Sequence, residues 1–144
     1  MKFLKTFALI VAAATMTTAC GHKSDATVAA AEEKYRSGSY SAAQSLCDSL
    51  VLGKNFDELT VDELCRLSLL ASRLADHNDE EANMALAARC MQAALDRRPD
   101  SVRLFVDSLS VDDQTRSLLI RQLTHTVDTS SLVDEPDSIS HQNI

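Results

Sequence analysis

Between Ser24 and Leu123 no run of β-branched residues alternates with polar ones at period two, and the whole chain holds only three glycines and two prolines. Sheets need that alternation and the tight turns that such residues supply, so the chain is confined to helices joined by short polar connections. The spacing predicts a first helix from about Asp25 to Ser37, with Val28, Ala31 and Tyr35 on one face, ended by Gly38. A second helix starts near Tyr40 and aligns Tyr40, Ala43, Cys47 and Leu50 up to Gly53, where a left-handed stop is expected.

Thr60-Val61-Asp62-Glu63 reads as a capping box, in which the threonine hydroxyl and the glutamate carboxylate satisfy each other's backbone amides. The helix it opens carries Leu64, Leu67, Leu70, Ala71, Leu74 and Ala75 on one broad stripe. Asn78 or Asp79 caps a fourth helix with Met84, Ala87, Ala88, Met91, Ala94 and Leu95 at helical spacing, and Pro99 is expected to close this second hairpin. Arg97 and Arg98 suit the negative end of its dipole. A third, shorter hairpin follows, with Val102, Phe105, Val106 and Leu109 on its first helix and Leu118, Leu119, Ile120 and Leu123 as the core face of its second. From 125 to 144 the chain has acids and no lysine or arginine, the composition of a disordered tail.

The N-terminus sets an address. Lys2 and Lys5, a short apolar stretch and the small residues Thr18 and Ala19 form a secretory signal, and the residues alone allow cleavage at any nearby small residue. Ending as it does on Cys20, the segment resembles a bacterial lipoprotein signal, although Thr17 stands where that family has leucine. The resemblance implies cleavage after residue 19, a diacylglycerol and a palmitate-type acyl chain on Cys20, and attachment to the cell envelope; Gly21, by resemblance to one sorting rule, favours the outer membrane facing the periplasm over the inner membrane or the cell surface. Residues 20–25 then form a linker to a helical domain at 26–124.

Ala31, Tyr35, Gly38, Tyr40 and Ala43 fall at spacings that resemble the core of a tetratricopeptide repeat (TPR), and Ala87 to Pro99 resembles the closing helix of a second unit. Asn55 stands where the first unit would have its proline. The fold expected is therefore all-α: antiparallel helical hairpins in a TPR-like short solenoid or a bundle of five to six helices. The resemblance implies protein binding, as a scaffold or adaptor for an envelope protein, through a groove lined by the first helix of each hairpin, here around Lys34, Arg36, Arg66 and Arg73.

Other chemistries find little footing. The formal charge of −7 and the absence of a basic stripe exclude nucleic acid as a partner. No glycine-rich phosphate loop or nucleophile motif occurs, so neither catalysis nor a cofactor is expected. Cys47, Cys65 and Cys90 sit within helices without Cys-x-x-Cys spacing, which favours packing over metal binding and leaves a disulfide between two of them open. His22, His77, His125 and His141 share no helical face and are expected in solvent. Asp79-Glu80-Glu81 complements a helix start. Tyr35 and Tyr40 can fill the hairpin or line a groove, with filling favoured by their spacing. A second reading is an envelope sensor of a small molecule or of stress, with a pocket lined by Met84, Met91 and Phe105.

Overall fold

The computed structural model describes residues 26–53 and 55–130, with side chains to residue 125. The leader, Cys20, the linker, His22, His141 and residues 131–144 lie outside them. Within the described residues the chain is all-helical and has no strand: α1 (Val28–Arg36), α2 (Tyr40–Leu52), a 3-10 turn (Phe56–Glu58), α3 (Val61–Leu74), α4 (Glu80–Arg97), α5 (Pro99–Asp107) and α6 (Val111–Ser130). No helix among the described residues is long and apolar enough to cross a membrane.

Three of the helices, α1, α3 and α4, begin where a side chain satisfies a free amide. Thr27 accepts from Ala30 N at 3.1 Å, Asp79 accepts from Ala82 N at 3.0 Å, and Thr60 and Glu63 form the full capping box, with Thr60 N donating to Glu63 Oε2 at 2.8 Å. Gly38 ends α1 in the left-handed region, at φ 77°. Gly53 does not: its φ is −74°, and glycine is needed there because a Cβ would collide with the carbonyl oxygen of Ser49. Pro99 differs from expectation as well. Rather than closing the second hairpin, it opens α5 at the first helical position, where its missing N–H costs nothing and its ring presets φ.

At the centre lies α3, which packs against all five other helices and buries nine of its 14 residues. Its closest partner is α4. There Ser68 donates to the carbonyl of Ala87 at 2.7 Å, and alanines at 87, 88 and 94 let the two backbones approach. Cys47, Cys65 and Cys90 are buried free thiols in the same core, as the packing role requires. Tyr35 and Tyr40 are half-buried and meet at the hairpin tip with their rings tilted 54° to each other, and the His77 ring lies 3.8 Å from Tyr40, nearly parallel. That contact and an Asn78–Gln44 hydrogen bond of 3.3 Å tie the first hairpin to the α3–α4 turn. His77 is exposed, yet it is a stacking partner and not an isolated surface ring.

The C-terminal hairpin departs most from its sequence reading. With 20 residues α6 is the longest helix, and it continues past 124 to Ser130 because no glycine or proline interrupts it. The residues it buries are Ser117, Ile120 and Thr124, at i, i+3 and i+7. Leu118, Leu119 and Leu123, expected in the core, are 56%, 53% and 36% exposed. The two hydroxyls can be buried because each bonds a helix carbonyl: Ser117 donates to Asp113 O at 2.9 Å and Thr124 to Arg121 O at 2.7 Å.

Candidate functional site

The four cations expected to line a binding groove do not act as a set. Arg66 reaches from α3 to α1, where it donates from Nε and Nη2 to the two oxygens of Glu32 at 3.0 and 2.5 Å. Asp62 lies 3.6 Å from its other nitrogen. Hydrogen bonding to Glu32 raises the Arg66 pKa above the usual range against a smaller opposing cost of burial, and the two bonds clamp α3 to α1. Arg73 similarly joins α3 to α6 through Asp113 at 2.7 Å. Burial alone would raise the pKa of Asp113, but Arg73, the Ser110 hydroxyl and Arg116 together hold it below the usual carboxylate range.

Arg36 pairs with its helix neighbour Glu33, and both side chains are 67% exposed. Arg36 and Arg73 do meet in one shallow cleft of about 310 Å³, with Glu32, Tyr35 and Leu70 as the other walls. Lys34 is exposed and takes no part in lining that cleft, and Arg66 stands outside it. The residues proposed for a small-molecule pocket are also dispersed. Met91 is fully buried, Met84 lies between α4 and α6, and Phe105 lies in a separate cleft between α3 and α5.

A surface that the sequence reading missed is formed where α6 meets α4. Met84, Leu119 and Leu123 make the apolar floor of a groove of about 520 Å³, and Glu80, Glu81 and Gln122 supply its polar edge. Leu118 extends the exposed apolar face of the same helix. The glutamates occupy the first turn of α4 because carboxylates there complement the helix dipole, and this local preference also gives the groove an acidic rim. Beneath it Asn83 is buried, its amide nitrogen donating to Asp79 O at 2.9 Å while its Oδ1 has no hydrogen-bond partner.

A second groove of about 450 Å³ runs along α4 past α6. Ala85, Ala88 and Ala93 give it a smooth floor, with Phe56, Arg89, Gln92, Asp96 and Thr124 around it. The Arg89 guanidinium lies 4.8 Å from the centre of the Phe56 ring, over its face. Asp96 accepts from Gln92 at 2.7 Å.

The buried thiols offer no nucleophile at neutral pH. Burial pushes Cys47 and Cys90 up to about 12 and Cys65 up to about 11, so all three stay protonated. Among the described residues no group of histidine, cysteine, aspartate and glutamate could hold a metal ion. What the geometry offers is apolar grooves with charged edges, the chemistry of side-chain docking. No known protein family, curated protein or solved structure matches the chain.

Proposed function

We propose that the protein is a lipid-anchored scaffold of the cell envelope. On this reading residues 1–19 export the chain, Cys20 carries the lipid, and TPR-like helical hairpins present the groove between α4 and α6 to a partner protein. The observation that carries it is the exposed leucine face of α6. A folded domain gains nothing by turning Leu119 and Leu123 to water beside Met84 while burying Ser117 and Thr124, and apolar surface of this kind marks an interaction site. The Glu80–Glu81 rim favours a partner segment that is an amphipathic helix with leucine-like anchors and flanking lysine or arginine. Such a helix would lay its apolar stripe between Met84 and Leu123 and set its cations against the carboxylates.

The lipid gives this weak, shallow groove its use. Confining the scaffold and its partner to one membrane surface raises their effective concentration, so a contact too weak to persist in solution becomes occupied. The outer membrane facing the periplasm is the location this reading assigns. The anchor is tested by metabolic labelling with an alkyne fatty acid: the wild-type chain is expected to take the label into the membrane fraction, and Cys20→Ala to lose both label and membrane attachment. Label retained by Cys20→Ala would refute the anchor.

A further inference from the structure

We infer that the second groove, along α4, is the docking site of the chain's own C-terminal segment, residues 131–144. The two grooves beside α6 differ in charge: the first carries two glutamates and no cation, whereas the second carries one cation, Arg89, and one acid, Asp96, at its far end. The first is rimmed by Glu80 and Glu81; the second presents Arg89, whose guanidinium lies over Phe56 and has no carboxylate partner among the described residues. The segment carries Asp134, Glu135 and Asp137, and after Arg121 the chain has no lysine or arginine at all. Repelled from the first groove, these carboxylates find an unpaired, exposed arginine at the second.

Connectivity and length agree. Thr124 of α6 is part of the second groove's wall, and the helix runs on from there to Ser130, about 9 Å further at the helical rise, a distance the remaining segment can retrace. From Ala85 to Asp96 the groove follows α4 for about 17 Å at the helical rise, whereas 14 residues in extended form reach about 46 Å. A return along the groove is therefore within the reach of this length of chain. Shape agrees too. Leu132 and Val133 precede the acids, and the alanine floor at 85, 88 and 93 leaves space for branched side chains that longer floor residues would fill. Asp96, at the far end from Arg89, faces these neutral residues and not the carboxylates if Asp134 and Glu135 reach Arg89. Because Arg89 is exposed, salt weakens the docking.

The test uses the exported form, residues 20–144, with Cys20→Ser and Ser138→Cys. A nitroxide placed on the new thiol labels one site, since the three native thiols of the domain are buried and protonated. Paramagnetic broadening is expected on the amides of Ala85, Ala88 and Arg89, with Glu80 and Leu119 spared, and is expected to disappear in Arg89→Glu. Broadening that is absent, that falls on the leucine groove, or that survives Arg89→Glu overturns the inference. So does broadening seen when the nitroxide and the isotope label are carried by different molecules, because the contact would then lie between copies of the chain.

Discussion

At Ala43 the α1–α2 hairpin has room for a methyl group and no more: the residue is fully buried where the two helices touch, one turn from the equally buried Cys47. Replacing it by leucine forces extra methylenes into a closed contact, and Ala43→Leu is expected to cost about 1–3 kcal/mol in urea unfolding. Ser41→Leu, two positions away on the exposed face, should stay within about 0.5 kcal/mol of wild type. Equal tolerance at both positions would remove the helical register on which the hairpin rests. Glu63 acts at the same scale through charge. The amide and hydroxyl of Thr60 hold its carboxyl below the usual range, so the folded state binds its proton less readily than the unfolded chain does. Its contribution is complete above the ordinary glutamate value of about 4.3 and is lost as the pH falls through the lower, folded value. Glu63→Gln keeps an acceptor but cannot titrate. Its stability is expected to fall less steeply than that of wild type between about pH 5 and pH 3; parallel acid limbs would contradict the role given to the capping box.

Between helices, the arginines are worth very different amounts. Arg66 and Glu32 are two-thirds or more removed from solvent and joined by two charge-assisted bonds, so Arg66→Ala strands a partly buried carboxylate between α1 and α3. A loss of about 1–3 kcal/mol is expected from thermal or urea unfolding. Arg36→Ala removes only an exposed pair within one helix and should cost no more than about 0.5 kcal/mol. Similar losses at the two sites would contradict the assignment of Arg66 as an interhelix clamp. The same contrast explains what could be read from the sequence. Stripes such as Leu64, Leu67, Ala71 and Leu74 announce a buried face because apolar residues recur at helical spacing, and caps such as Thr60 and Asp79 announce where helices start. In α6 that signal misleads. Ser117 and Thr124 carry hydroxyls that their own helix satisfies, so they occupy the core face, and the leucines turn outward. Nor does sequence spacing show that Arg66 and Arg73 meet acids 34 and 40 residues away, so that each ties two helices together.

Taken as a whole, the described residues present one core built around α3 and, beside α6, two grooves, one rimmed by Glu80 and Glu81 and one that holds both Arg89 and Asp96. In the proposed function the acidic leucine groove is the docking face, and a lipid on Cys20 confines that face to a membrane surface. These two elements make a joint claim: the groove is filled in the envelope, and its filling depends on the tether. A photocrosslinking amino acid at Leu119, in cells producing the full chain, tests that claim most directly. A discrete protein adduct is predicted from Leu119, strongly reduced by Cys20→Ala and by Glu80→Lys with Glu81→Lys, and missing when the crosslinker is moved to Ser41. No adduct at Leu119, or the same adduct at equal yield from Ser41, would contradict it.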